Sequence, residues 1–219
     1  MNKITVIGAG SMGCAMAAHL SWNGHAVKLW SPDGDEIQML QQHREHLTRL
    51  PGVALPESIQ YFTDFSEAVK GSDLIVLAIP SQTTRSNAKN LAALIADDVL
   101  IVTCSKGIEE GTCKLLTQII EEELPRNPFA VLSGPSHAEE IARKVPTVVV
   151  AAATDLAVAE RVQEIFMSDT FRVYTNTDVV GVELGGAIKN VIALCAGISD
   201  GLGYGDNTKA ALMTRGMYE

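Results

Sequence analysis

Lys3-Ile4-Thr5-Val6-Ile7-Gly8-Ala9-Gly10-Ser11-Met12-Gly13, running on into Cys14-Ala15-Met16-Ala17-Ala18-His19-Leu20, is the stretch that decides the fold. A β-branched apolar run enters a G-x-G-x-x-G turn, and a helix pattern of small apolar residues leaves it. That order is the strand, turn and helix of a dinucleotide-binding βαβ unit. Gly8 permits the tight turn, Gly10 lets the backbone approach a pyrophosphate, and Gly13 lets helix and strand pack closely. The phosphate charge would be met by free N–H groups and the positive end of the helix dipole. A nicotinamide or a flavin dinucleotide suits such a turn, and a glycine turn can also serve packing alone. The apolar strand before it and the helix after it favour the dinucleotide.

Outward from this unit the alternation continues. Apolar strand-like runs fall at 3–7, 26–30, 74–79, 99–103, 130–132 and 147–151, and helix patterns at 13–23, 37–42, 65–70, 83–94, 113–122, 138–143 and 155–167. Most strands are unbroken apolar runs, as when helices cover both faces of a sheet. The fold class read from this is α/β, a Rossmann-like, doubly wound parallel sheet. Its ligand crevice should lie at the strands' carboxyl ends, where 8–13, 80–82, 105–107 and 133–136 fall. From about Thr177 the texture changes. Residues 179–195 form a long stretch that is nearly free of charge and reads as a buried interdomain helix, 197–205 as a glycine-rich loop, and 207–219 as a second helix. The division drawn is a dinucleotide-binding domain over 1–177 and the opening of an α-helical substrate domain over 178–219.

At 219 residues and 47% hydrophobic content the chain can bury one full α/β core. A net charge of −9 argues against a general nucleic-acid or anionic-membrane surface. An anionic substrate must then be caught by local cations. The four cysteines show no C-x-x-C spacing, and together with the lack of a signal-like segment they suit reduced thiols in the cytoplasm.

Two lysines carry the chemistry. Lys106, in Ser105-Lys106-Gly107-Ile108-Glu109 after the fourth apolar run, sits at the crevice rim. Lys189 is a lone cation within Gly185-Gly186-Ala187-Ile188-Lys189-Asn190. Such a lysine can take a proton from an alcohol or, protonated, polarise a carbonyl; the plainer readings are that it snorkels to solvent or pairs with Glu183. Ser133-Gly134-Pro135-Ser136-His137-Ala138-Glu139 ends a strand and opens a helix, with Ser136 placed to cap it and Glu139 at capping-box spacing; the same groups can bind a phosphate or hydroxyl. His43 and His46 lack metal-binding spacing and read as a solvated helix face. No metal is expected.

With these residues in hand, the chain resembles the NAD(P)-dependent sn-glycerol-3-phosphate dehydrogenases of the bacterial, soluble type. The motifs that carry the resemblance span the sequence: the glycine turn, Leu50-Pro51-Gly52, Pro80-Ser81, Ser105–Glu109, Ser133–Glu139, Phe171-Arg172-Val173-Tyr174, Gly181–Val191 and Asp200–Asn207. The resemblance implies interconversion of dihydroxyacetone phosphate and sn-glycerol 3-phosphate by hydride transfer with NAD(P)H, supplying glycerophospholipid synthesis. Carried over residue by residue, Lys189 is the proton acceptor, Lys106 touches cofactor and substrate, and Gly134 and Ser136 hold the glycerol phosphate. Gly8, Gly10, Ser11, Met12, Gly13, Asp33, Arg49 and Ala138 lie on the cofactor side.

Three departures cluster there. The family has an aromatic at the place of Met12, basic residues at Pro32 and Asp33, and a tyrosine at Arg49. An acid about 20 residues past the glycine turn suits the free ribose diol of NAD and repels an NADP phosphate, so the reading leans to NAD, with Arg49 able to offset it. The resemblance also implies a helical domain that continues beyond Glu219, a homodimer at full length, and no integral membrane segment or nucleic-acid partner.

Overall fold

Strand and helix alternate from the start of the chain: β1 (Lys3–Ile7), α1 (Ser11–Trp22), β2 (Ala26–Trp30), α2 (Gly34–His43), β3 (Gln60–Phe62), α3 (Phe65–Val69) and β4 (Leu74–Leu77). After a short 3-10 turn at Ser81–Thr83 come α4 (Thr84–Ala92), β5 (Leu100–Thr103), α5 (Leu116–Glu123), β6 (Phe129–Ser133), α6 (Ala138–Ala142), β7 (Thr147–Ala152) and α7 (Leu156–Phe166). The chain closes with β8 (Phe171–Asn176), α8 (Val179–Gly201) and α9 (Asp206–Tyr218). This is a computed structural model that describes residues 1–218.

The eight strands form one sheet in the order β3-β2-β1-β4-β5-β6-β7-β8, the doubly wound arrangement expected from the alternation. Alternate side chains feed two layers. Ile4, Val6, Leu74, Val76, Leu100 and Val102 face α1, whose residues from Gly13 to Leu20 are all buried. Ile7, Ile75, Leu77 and Ile101 face α4 and α5. Each such side chain, fully buried, stabilises the fold by roughly 1.5–3 kcal/mol.

The parallel order breaks once, which the sequence reading did not foresee. β7 runs antiparallel to β6, and β8 is parallel to β7. Helix length does not decide this, since α3, like α6, has five residues and yet joins β3 to β4 in parallel. α7, with 11 residues, makes the parallel crossover from β7 to β8.

Two strands were also missed. β3 is a three-residue edge strand with half-buried side chains, and β8 alternates buried and exposed positions at the other edge. The larger correction concerns α8. Its helix runs on through the expected loop to Gly201, since Gly197 and Gly201 have open space around them and only intrinsic propensity to lose. Nor is it buried: Val179, Glu183 and Ser199 are its only buried residues, and α9 has none among the described residues. Val179 and Val182 pack on Val131 of β6 and Ala152 of β7, and from there the helix climbs past the carboxyl edge of the sheet. At 23 residues, with an 18-residue window of mean hydropathy 1.6, it has the length and composition of a membrane-crossing helix, a test that the core helix of a soluble protein also passes.

Candidate active site

The turn between β1 and α1 is shaped for close approach. Gly8 has φ +102°, and a Cβ there would strike the Ala78 carbonyl; one at Gly13 would strike the Gly8 carbonyl oxygen. Gly10 is different. A Cβ at that position would meet only Nη1 of Arg49, at 3.5 Å, so its outer side is open. Gly10 is also the N-cap of α1 and contributes no side-chain acceptor, which leaves the first-turn N–H groups of Ser11, Met12 and Gly13 facing that space. Ala138 opens α6 and is buried in the core cluster shared with α1. An open cradle, a helix N-terminus and a guanidinium over it are what a pyrophosphate needs, so the residues present fit a dinucleotide.

Beside this cradle the polar groups are organised in a way the sequence did not suggest. Asp33 is exposed and caps α2, accepting from the N–H groups of Asp35 and Glu36 at 3.0 and 3.2 Å. His46, read from sequence as solvated, is 2% exposed. Its Nδ1 accepts from the Arg49 N–H at 3.2 Å, which leaves the Nε2 proton to be donated to Glu36 Oε1 at 3.0 Å. Ser31 donates to Glu36 Oε2 at 2.5 Å, and Arg49 Nη1 lies 3.4 Å from Oε1. A nearly buried carboxylate thus anchors the arginine that overhangs Gly10. Burial, with the Glu36 charge adding to it, pushes the neighbouring Cys14 thiol up to about 12 and keeps it inert.

The second half of the site lies where β5 and β6 end under α8. Lys106, Ser133, Gly134, Ser136, His137, Gly185, Gly186 and Lys189 line one cavity of about 620 Å³. Lys106 Nζ donates to Ser136 Oγ at 3.1 Å, and Ser136 Oγ donates to the Gly134 carbonyl at 3.2 Å. Ser136 therefore serves the cavity and not the helix: α6 begins after His137, which makes no side-chain cap. Gly134 has φ +155°, and a Cβ there would press on the β7 backbone at Val148 and Val149. Burial holds the Lys106 amine below the usual lysine range, with the charge of Lys189 acting in the same direction. Lys189 is exposed at the cavity mouth and donates to Asn190 Oδ1 at 3.0 Å. It does not pair with Glu183, whose carboxylate turns to Thr117.

The loop bearing Lys106 is held from outside the cavity. Arg85 of α4 grips Glu109 through two 2.8 Å bonds and reaches Glu123 and Glu122 of α5 at 2.6 and 2.9 Å. These bonds hold the Glu109 carboxyl down to about 2. Gln82 adds bonds to the Ile108 carbonyl and the Glu110 N–H. Arg85 and Glu123 were not singled out from sequence, because their partners lie far away in the chain and no local spacing announces them.

Comparison with known proteins gives the family of the chain. The family model for the NAD-dependent glycerol-3-phosphate dehydrogenase N-terminus matches residues 3–159, and that for the C-terminus matches 178–219. The chain is 52% identical over its whole length to glycerol-3-phosphate dehydrogenase (NAD(P)+) of Agathobacter rectalis and 48% identical to that of Clostridium perfringens. It spans 65% and 66% of those two proteins. The crystal structure of glycerol-3-phosphate dehydrogenase from Coxiella burnetii superposes with a TM-score of 0.92 at 36% identity, covering 99% of this chain and 66% of that one. With both family regions matched in order on one continuous sequence, the chain belongs to the NAD-dependent glycerol-3-phosphate dehydrogenase family.

Proposed function

We propose that this chain supplies the dinucleotide cradle and the reacting lysines of a cytoplasmic glycerol-3-phosphate dehydrogenase, interconverting dihydroxyacetone phosphate and sn-glycerol 3-phosphate. The observation that carries the reading is the meeting of Lys106 and Lys189, one from a sheet loop and one from α8, in a single cavity with Gly134 and Ser136. A nicotinamide dinucleotide bound at Gly8–Gly13 would supply or accept the hydride. Lys189 handles the proton on the substrate's central oxygen, taking it in oxidation and giving it in reduction. Lys106 and Ser136 hold the oxygens and stabilise charge that develops on them. Gly134 allows the substrate phosphate close to backbone. The exposed Asp33 beside the cradle favours NADH over NADPH, and the full enzyme is read as a homodimer feeding glycerophospholipid synthesis. α8 is read as an interface helix, its foot fixed to the sheet by Val179 and to α5 by Glu183.

The test is NADH oxidation driven by dihydroxyacetone phosphate. Lys189→Met should lower turnover by roughly the 10²–10⁴-fold carried by a general acid–base group, while NADH binding by fluorescence stays within about twofold. A variant that keeps most of its turnover removes Lys189 from the chemistry.

A further inference from the structure

α8 rests on the sheet through few groups, so something must set the direction in which it holds Lys189. Val179 and Val182 give apolar contact, which is not directional. Glu183 gives the directional one. It is 5% exposed, and its carboxylate accepts from the Thr117 N–H at 3.2 Å and from the Thr117 hydroxyl. Thr117 stands in the first turn of α5, whose N-cap residue is Leu115, a side chain with no acceptor to offer. Gln118 turns back to the Leu115 N–H at 2.9 Å, and the remaining cap comes from another element, α8.

The far end of the same helix holds the other lysine's loop. Glu122 and Glu123 bind Arg85, and Arg85 binds Glu109, three residues beyond Lys106. The two lysine platforms thus share one mount of eight residues, α8 at its amino end and the Lys106 loop at its carboxyl end. A buried carboxylate is a costly way to dock a helix, since an apolar side chain would do so without desolvating a charge. What it adds is a fixed direction.

We propose that Glu183 is a positioning residue: by capping α5 from α8 it mounts the Lys189 helix and the Lys106 loop on one short helix and fixes the separation of the two lysines across the cavity. The role rests on the reading of these lysines as the reacting pair. Its test does not depend on turnover.

Lys106 is half-buried beside Cys104 and in the field of Lys189, and so reports the placement of α8. Competitive acetylation of the 219-residue chain over a range of pH, read by mass spectrometry, gives the midpoint of the Lys106 amine. In Glu183→Ala that midpoint should rise by half a unit or more, about threefold in proton affinity, as burial and the Lys189 charge are relaxed. Loss of a nearby carboxylate would by itself lower a lysine's midpoint, so a rise identifies displacement and not charge. Glu183→Gln, which keeps an oxygen for the Thr117 N–H, should stay near the parent. Thr117→Val removes the hydroxyl from the opposite side and should shift Lys106 in the same direction by less. It carries the test if Glu183→Ala does not fold. A Lys106 midpoint unmoved in both Glu183→Ala and Thr117→Val, or a Gln variant that shifts as far as the Ala variant, overturns the proposal. Failure of the functional reading would show separately, as Lys189→Met turning over normally while these midpoints still move.

Discussion

Gly185 and Gly186 are neighbours on α8 and face different surroundings, so the same substitution should stabilise at the first and not at the second. An alanine in an exposed helix interior gains about 0.5–1 kcal/mol over glycine, because glycine loses more backbone freedom on folding. At Gly185 a Cβ has nothing within 4 Å, and Gly185→Ala should show that gain. At Gly186 the new Cβ lies 2.7 Å from Ser133 Oγ, a contact that cannot stand, while the Lys106 stem at 3.6 and 3.8 Å is in ordinary contact. Crowding of this kind costs roughly 1–3 kcal/mol in a packed setting. Gly186→Ala should then be neutral to about 2 kcal/mol destabilising, with the two variants separated by about 1–3 kcal/mol.

Amide hydrogen exchange along α8 is the direct assay, since a helix with three buried residues can open without the sheet. The separation corresponds to roughly 5- to 150-fold in the opening equilibrium of α8. The clash has one named partner, so Ser133→Ala in the Gly186→Ala background should restore protection to the level of Gly185→Ala, a coupling that the two single changes alone do not give. Equal protection in Gly185→Ala and Gly186→Ala, or a double variant no better than Gly186→Ala, would show that α8 does not press on Ser133 and that the cavity between them is differently shaped.

Asp33 acts both as the cap of α2 and as a charge beside the cradle, and Asp33→Ser separates the two because serine keeps an N-cap acceptor. The parent should bind NADH more tightly than NADPH, and the Ser variant should bind NADPH several-fold more tightly with unfolding unchanged, by fluorescence titration at fixed salt; tighter NADPH binding by the parent would assign the 2′-phosphate to Arg49. The carboxyl of Glu109 is held at about 2, below its unfolded value, so its pairing supports the Lys106 loop above about pH 4.5 and is lost as pH falls toward 2. Loop amides 106–112 should lose protection over that window in the parent and show no such step in Glu109→Gln; equal acid sensitivity of the two would remove the Arg85 clamp from the account.

The parts of this molecule legible in its sequence are those where local pattern and global placement say the same thing. The glycine turn is one: the residues that allow it are contiguous, and the strand that feeds it is apolar because both faces are covered. The central strands are readable for the same reason. β3 and β8 are not, because an edge strand is half covered and its alternation is too short to stand out. The reversal of β7 is a matter of how it pairs with β6, which no single motif displays. At the site, Lys106 and Lys189 could be singled out as cations in apolar or crevice settings, whereas the groups that hold them could not.

Arg85 and Glu123 carry no spacing that marks them, Glu109 reads only as the end of the Lys106 motif, and Glu183 reads as a possible partner of Lys189. Only their folded distances turn them into a frame. His46 makes the same point on the cofactor side: flanked by charged residues it reads as solvated, yet it is buried because Glu36, ten residues earlier, needs a donor. Reactive groups carry a local signature because their chemistry requires a particular environment. Supporting groups have none, since almost any polar pair can be a strut, and what selects one is the gap it spans.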